Sequence, residues 1–210
     1  MVYVFFCKNF PLWSAMEEQQ QVAKLPAELA QKITQYQKVE DRQIRIRSKL
    51  LLLKSLEKSG FQRSLCDVKY NSFGKPFFVE GPHFNLSHSG DVVACIIAKE
   101  GNVGIDTEAN GEKCIEEYFP MLPPEFQLKI NDSYDKHKTF LEYWTGYEAV
   151  VKATGKGLYI PIDQVQIKGQ LALIEDQKFF IKSINISDET VTTIAMDMPI
   201  DDVVMQEILL

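Results

Sequence analysis

A run of apolar residues from Val92 to Ala98, near the middle of the chain, constrains the fold most strongly. Its length is typical of a buried strand and falls far short of the roughly 20 apolar residues that a membrane-spanning helix needs. The segments His83 to Ser89 before it and Val103 to Glu108 after it also have strand character, with breaks at Gly90-Asp91 and at Glu100 to Asn102. We therefore expect consecutive strands in the middle of a fold without a membrane span.

Helical and strand patterns along the rest of the chain predict a mixed fold. Helical patterns cover Glu17 to Lys38 with a break at Pro26, then Val39 to Lys58, then Thr139 to Thr154, which Gly155 and Gly157 end. Strand patterns cover Val2 to Phe6, Val165 to Ile167, Lys178 to Ile186 and Val191 to Met196. We expect an α+β protein of two similar-sized lobes, residues 1–101 and 102–210, with the boundary near Glu100 to Asn102.

Charge and cysteine usage argue against several classes of protein. The chain has 23 Lys and Arg against 29 Asp and Glu, a net charge of -6, which argues against non-specific binding of nucleic acid. The 4 cysteines stand far apart without a C-x-x-C pair, so neither a zinc site nor disulfides are expected. The N-terminal segment has neither the basic region nor the cleavage site of a signal peptide. We expect a cytoplasmic protein with no membrane or nucleic-acid partner.

Two acidic residues, Asp106 and Glu108, lie in the strand pattern that starts at Val103. Side chains at i and i+2 of a strand share a face, so these carboxylates lie roughly 7 Å apart, with Thr107 turned away. This spacing suits one hard cation such as Mg²⁺, which takes oxygen ligands and keeps several waters. The alternative is an exposed pair at a strand end, which is the more frequent outcome for an arbitrary D-x-E.

The helix predicted over Thr139 to Thr154 carries a second candidate pair. Its core stripe consists of Phe140, Trp144, Tyr147 and Val151. Glu148 and Lys152 form an i, i+4 pair on an adjacent face. As a surface ion pair they would stabilise the helix by only about 0.2 to 0.5 kcal/mol. The functional alternative is a third carboxylate together with a lysine that faces a phosphate.

Cations gather on the helix predicted over Val39 to Lys58. Its apolar stripe consists of Val39, Ile46, Leu50 and Leu53. The opposite face is basic and carries Arg42, Arg45 and Lys49 at i, i+3 and i+7. Together with Lys38, Arg47 and Lys54 they give six cations against Glu40 and Asp41, a local charge of +4. Further along, the turn Gly74-Lys75-Pro76 points a cation outward. His88, between Ser87 and Ser89, could bind a phosphate or transfer a proton, although a lone histidine in such a turn more often makes local hydrogen bonds.

Four segments occur in one order: Gly74-Lys75-Pro76, FNLSHS at 84–89, VGIDTE at 103–108 and WTGYEAVVKATGKGL at 144–158. In this order they resemble the signatures of the 4′-phosphopantetheinyl transferase superfamily, specifically of its monomeric Sfp-type branch. Those signatures are a G-K-P turn, an N-[LI]-S-H-S segment, a [VI]-G-[IV]-D-x-E strand and a W-x-x-K-E-[AS]-x-x-K helix. The resemblance spans residues 74 to 158 and implies two pseudo-symmetric lobes, each a small, mainly antiparallel sheet packed with helices.

Enzymes of this family transfer the phosphopantetheine arm of coenzyme A to a serine of an apo acyl or peptidyl carrier protein, with Mg²⁺, releasing adenosine 3′,5′-bisphosphate. The resemblance implies the same activity here, with Asp106, Glu108 and Glu148 as metal ligands. It also implies that Glu148 helps to deprotonate the serine and that Lys152 faces the α-phosphate. The implied coenzyme A contacts are Lys32, Arg45, Gly74, Lys75, Pro76, Ser87, His88 and Lys152.

Two positions depart from the family pattern. Tyr147 stands where the family has a lysine beside the catalytic glutamate, which predicts a reduced activity or an altered substrate. In the simplest alignment the arginine of the family's basic helix falls on Ile44, which leaves Arg45, Arg42 or Lys32 to bind the 3′-phosphate. Two other functions stay open: a non-catalytic module of the same fold that binds coenzyme A or a carrier domain, and a metal-dependent phosphodiesterase.

Overall fold

The structure, a computed structural model, describes residues 1–111, 113–157 and 160–210, so Leu158 of the last motif lies outside it. Its α-helices are α1 (Ala15–Val22), α2 (Ala27–Thr34), α3 (Val39–Lys58), α4 (Ile115–Tyr118), α5 (Pro124–Asp132) and α6 (Lys136–Thr154). Its strands are β1 (Val2–Cys7), β2 (Lys69–Tyr70), β3 (Pro76–Phe77), β4 (His83–Ser89), β5 (Val92–Ala98), β6 (Val103–Ala109), β7 (Gln166–Lys168), β8 (Leu171–Ile174), β9 (Gln177–Ile184), β10 (Thr190–Met196) and β11 (Val203–Glu207). Within the described ranges no helix is both long and apolar enough to cross a membrane.

Two sheets form the frame of the molecule. The first has the strand order β11-β1-β5-β4 and the second the order β6-β10-β9-β8-β7, while β2 and β3 pair separately. Neighbouring strands run antiparallel except β11, which lies parallel to β1. The α+β fold class expected from the sequence is therefore confirmed.

The two sheets pack face to face, with a long helix on each outer face. The apolar run Val92–Ala98 forms β5, and none of its residues is more than 1% exposed. Alternate residues of β5 point to opposite faces, so Val93, Cys95 and Ile97 pack against the leucines of α3. On the other face, Ala94 and Ile96 pack against the second sheet. The far side of the second sheet is covered by α6.

Four of the described strands are missing from the sequence prediction: the two-residue strands β2 and β3, and the strands β8 and β11. Neither β8 nor β11 was expected, because β8 is only 4 residues long and most of β11 is exposed, so neither stands out from its surroundings. The strand β11 comes from the end of the chain but completes the first sheet beside β1. The division into lobes at residues 1–101 and 102–210 stays a prediction.

Arg47, one of the six cations counted for the basic helix, is buried in the structure. This side chain is only 1% exposed, and its guanidinium lies 4.3 Å and 3.6 Å from the ring centroids of Phe10 and Trp13. Its Nη2 donates to the carbonyl oxygen of Pro11 at 2.5 Å. The segment between β1 and α1 folds across α3 and covers the arginine, and local periodicity gives no sign of such a contact.

Candidate active site

Polar side chains on β4 fix the position of β6, the strand that carries the two acidic residues. The oxygens of Asn85, Ser87 and Ser89 accept hydrogen bonds at 3.1, 3.2 and 2.9 Å from the backbone N–H groups of Ile105, Thr107 and Ala109. All three side chains are at most 6% exposed. Side chains at i, i+2 and i+4 of β4 thus replace the backbone hydrogen bonds that would normally pair two strands. The Asn and Ser residues of the FNLSHS segment therefore have a structural role in holding β6.

Asp106 lies at the centre of the site. It is 4% exposed, and its Oδ1 accepts hydrogen bonds from Ser87 Oγ at 3.0 Å and Lys152 Nζ at 2.5 Å. Its Oδ2 is buried and has no hydrogen-bond partner among the described residues. Thr107 points the other way, to Thr192 Oγ1 at 2.8 Å, as the alternation of a strand predicts.

Glu108 lies on the same face and is paired with a lysine. Its Oε1 lies 3.1 Å from Lys113 Nζ, and its Oε2 accepts a hydrogen bond from Ser89 Oγ at 3.4 Å. The Lys113 ammonium also lies 4.9 Å from the ring centroid of Trp144. Sequence reasoning missed Lys113, because a lone lysine in the segment after a strand belongs to no periodic pattern.

Glu148 of α6 is partly buried and lies within electrostatic reach of both carboxylates of β6. Burial raises its pKa first, and the negative charges of Asp106 and Glu108 raise it further, while Lys152 and Lys113 oppose them. The pKa of Glu108 is also raised, by burial and then by Asp106. Three carboxylates therefore repel one another across one site, which is a favourable environment for a cation.

The donor set fits a hard divalent cation. Carboxylate oxygens are the ligands that Mg²⁺ prefers, and the unpartnered Oδ2 of Asp106 is a buried acceptor that a cation would satisfy. Among the described residues, no three His, Cys, Asp or Glu side chains already stand close enough together to form a metal site. The ammonium groups of Lys152 and Lys113 lie against Asp106 and Glu108 instead.

The Gly74-Lys75-Pro76 turn lies against the start of β6 and the C-terminal end of α6. Gly74 has a φ of 86°, a value that favours glycine, and Pro76 begins β3. The ammonium of Lys75 donates to the backbone carbonyl oxygens of Val103 at 3.2 Å and Ala153 at 2.9 Å. A cavity of about 300 Å³ beside the turn is lined by Lys75, Pro76, His83, Phe84 and Thr154, among others. A larger cavity of about 840 Å³, lined in part by Lys138 and Glu142, lies at the other end of α6.

Among the other basic residues considered for coenzyme A binding, some are exposed to solvent and others already contact protein groups. Lys32 and His88 are exposed, and His88 lies on the face of β4 that is turned toward α3, opposite Ser87. Arg45 stacks 4.0 Å over the ring of Tyr36, and its buried Nε has no hydrogen-bond partner within the described ranges. Arg42 is committed to Glu18 at 2.7 Å and to two backbone carbonyls.

Tyr147, where the family pattern has a lysine, is a core residue. It is 5% exposed, and its hydroxyl donates to the carbonyl oxygen of Ile160 at 2.7 Å. Burial raises its pKa to about 12, so the side chain stays neutral. With Phe140, Trp144 and Val151 it forms the buried stripe of α6, which confirms the predicted core face.

Taken together, these features define a two-sheet α+β protein with a carboxylate–lysine cluster between the edge strand β6 and the helix α6. Residues 102–193 match the model of the 4′-phosphopantetheinyl transferase superfamily. This segment contains all three carboxylates and Lys152.

The chain is also similar to curated proteins. It is 41% identical over 101 residues to 4′-phosphopantetheinyl transferase gsp of Aneurinibacillus migulanus, a match covering 46% of this chain and 41% of the relative. It is 35% identical over 120 residues to 4′-phosphopantetheinyl transferase HetI of Nostoc sp., covering 51% and 49%. It is 28% identical over 124 residues to 4′-phosphopantetheinyl transferase Sfp of Bacillus subtilis, covering 56% and 55%.

These matches support membership of the chain in the 4′-phosphopantetheinyl transferase superfamily, and the relatives support its Sfp-type branch. The matches span about half the length of each of these relatives.

Proposed function

We propose that the protein transfers the 4′-phosphopantetheine arm of coenzyme A to a serine hydroxyl of an apo acyl or peptidyl carrier protein. The observation that carries the proposal is the meeting of Asp106, Glu108 and Glu148 with Lys152 at one partly buried site. The names of the similar proteins support the same activity. In the reaction, the serine oxygen forms a bond to the β-phosphorus. The bond to the bridging oxygen breaks, and adenosine 3′,5′-bisphosphate leaves with the α-phosphate.

A bound Mg²⁺ would neutralise charge on the pyrophosphate, and Asp106, Glu108 and Glu148 are the residues that would hold it. Lys152 adds a positive charge beside Asp106, where it can meet the α-phosphate of the substrate. Partial burial lowers the effective dielectric around these groups, which strengthens each electrostatic interaction.

Glu148 is the group that we expect to accept the proton of the serine hydroxyl. Its raised pKa makes it a stronger base than an ordinary exposed glutamate. A positioned base contributes roughly 10²- to 10⁴-fold to a rate, and Glu148 would also hold the metal. Its loss should therefore cost more than the loss of either role alone.

Basic side chains of this protein could bind the negatively charged phosphates of coenzyme A. We propose that Arg45 binds the 3′-phosphate together with Lys32 and His88, because Arg42 is already committed to Glu18. The turn at Gly74, Lys75 and Pro76 and the residue Ser87 stay in the proposed binding region. A monomeric state, a cytoplasmic location and the absence of nucleic-acid and membrane partners are predictions from the sequence.

The test is transfer of labelled pantetheine from coenzyme A to several apo carrier proteins in the presence of Mg²⁺, followed by mass spectrometry of the carrier. We expect wild type to modify at least one carrier and Glu148→Gln to abolish transfer. Glu142→Gln is the matched control, because Glu142 is exposed on the same helix. No transfer by wild type to any carrier would contradict the proposal.

The second candidate is a non-catalytic module that binds coenzyme A or a carrier domain. It is favoured by one observation, the neutral and buried Tyr147 in place of the family's lysine. Calorimetry separates the two candidates. Saturable binding of coenzyme A together with no transfer would favour the module.

A further inference from the structure

Lys75 is a partly buried cation whose ammonium is hydrogen-bonded to two backbone carbonyl oxygens. Its ammonium donates to the carbonyl oxygen of Val103 at 3.2 Å and to that of Ala153 at 2.9 Å. Val103 is the first residue of β6, and Ala153 is the penultimate residue of α6. One side chain from the GKP turn therefore joins the start of the strand to the end of the helix.

The turn itself is held in place by Asn71. The Nδ2 of Asn71 donates to the carbonyl oxygen of Gly155 at 2.9 Å, and its Oδ1 accepts from the backbone N–H groups of Phe73 and Lys75 at 2.9 Å each. Gly155 has a φ of 73°, and a Cβ there would lie 3.0 Å from Lys75 Cδ. The lysine stem is thus confined between the turn and the end of α6.

The two elements that Lys75 joins are the ones that carry the candidate site. The strand β6 provides Asp106 and Glu108, and the helix α6 provides Glu148 and Lys152. The backbones are in close contact at Gly104, where a Cβ would lie 1.9 Å from the carbonyl oxygen of Ala149. A small shift of the helix along the strand would change the distance between Glu148 and the other two carboxylates.

We propose that Lys75 is a positioning residue whose ammonium links β6 to α6 and thereby sets the spacing of the three carboxylates. We call this link, the two hydrogen bonds from Lys75 to the carbonyl oxygens of Val103 and Ala153, the pin. The proposal rests on the proposed function for its catalytic consequence, although the pin itself is a property of the fold. Carbonyl groups at the end of a helix lack intrahelical partners, and a cation there also interacts favourably with the helix dipole.

The pin comes with an electrostatic cost that supports a structural role. Burial lowers the pKa of Lys75 to about 8, although Asp197 acts in the opposite direction. A lysine that only approached a ligand from solvent would not need this degree of burial. The two carbonyl bonds are what hold the charged form in place.

The pin and a direct contact with coenzyme A lead to different kinetics. If the ammonium holds only the substrate, Lys75→Met should raise KM for coenzyme A and leave kcat and metal affinity unchanged. If it positions the carboxylates, kcat and metal affinity should fall, while KM for coenzyme A changes little. Loss of groups that orient metal ligands typically costs about 10- to 100-fold in metal affinity.

The experiment compares wild type, Lys75→Met and the control Lys69→Met, whose lysine is exposed on β2. Calorimetric titration with Mn²⁺ is run without coenzyme A or carrier, and the backbone amide shifts of Asp106, Glu108 and Glu148 are recorded by NMR. We expect Lys75→Met to weaken Mn²⁺ binding about 10- to 100-fold and to move these amide signals, and Lys69→Met to do neither. Unchanged Mn²⁺ affinity and unmoved signals in a folded Lys75→Met protein would overturn the proposal.

A second measurement uses only wild type, in case Lys75→Met does not fold. A crystal structure with coenzyme A and Mg²⁺ should show the Lys75 ammonium on the carbonyls of Val103 and Ala153. An ammonium bound instead to a phosphate of coenzyme A would contradict the pin. If wild type transfers nothing to carriers, the proposed function fails, whereas the NMR comparison and the crystal structure still decide on the pin.

Discussion

Individual polar residues in this protein act through contacts distant in sequence. Ser87 donates to Asp106 and accepts from both Thr107 N–H and Lys152, so one hydroxyl connects β4, β6 and α6. Local patterns suggested Asp106, Glu108, Glu148 and Lys152, because strand alternation and helical spacing show which side chains share a face. They could not show Lys113 beside Glu108 or the burial of Arg47, since both depend on tertiary contacts.

At Tyr147, we expect stability to favour the native tyrosine over the lysine of the family pattern. Tyr147→Phe removes the hydrogen bond to Ile160 and should lower the free energy of unfolding by about 1 kcal/mol. Tyr147→Lys should lower it more, because it places an ammonium in the apolar stripe of α6. Urea denaturation of the three proteins provides the comparison. A Tyr147→Lys protein as stable as wild type would show that this position tolerates a charge.

At the level of elements, α1, α2, α3, α6 and the central strands were predictable, whereas α4, α5 and the junctions between elements were not. The helix α3 spans Val39–Lys58, as predicted, and α6 begins three residues earlier than expected and ends at the predicted Thr154. Strong periodicity and glycine signals fix such elements locally. The pairing of β4 with β6 through side chains and the return of β11 to β1 depend on the whole chain.

Two glycines at the site should respond oppositely to alanine. Gly104→Ala should lower the free energy of unfolding by about 1 to 3 kcal/mol and reduce transfer, because the added methyl group meets the backbone of α6. Gly146→Ala should raise it by about 0.5 to 1 kcal/mol, because the methyl group makes ordinary contact with Ile167 and favours the helix. Thermal and urea unfolding measure the change in the free energy of unfolding for each substitution. Equal effects of the two substitutions would contradict the close β6–α6 contact.

For the molecule as a whole, we expect stability to fall in alkaline solution. Burial raises the pKa of Cys95 and Tyr147 to about 12 each, from ordinary values of 9.0 and 10.0, and also raises that of Tyr143. These groups stay neutral in the fold but ionise in the unfolded chain, so their contribution is fully present below pH 9.0 and is lost as the pH rises toward about 12.

Lys75 contributes with the opposite sign, because its pKa falls to about 8 in the fold and the unfolded chain binds more protons between about pH 8 and 10.5. Urea unfolding across this range, for wild type, Tyr147→Phe and Lys75→Met, separates the two contributions. The loss at high pH should shrink in Tyr147→Phe, and Lys75→Met should show a steeper loss than wild type. Identical pH profiles for all three proteins would rule out both assignments.

The parallel pairing of β11 with β1 also determines when the fold can be finished. Until residues 203–207 have left the ribosome, the outer edge of β1 has no neighbour and presents open N–H and C=O groups. A nascent chain, or one shortened by proteolysis before Val203, would therefore expose the unpaired edge of the apolar strand Val2–Cys7, which can pair with strands of other chains. Coverage of the outer edge of β1 is thus acquired only after β11 has been translated.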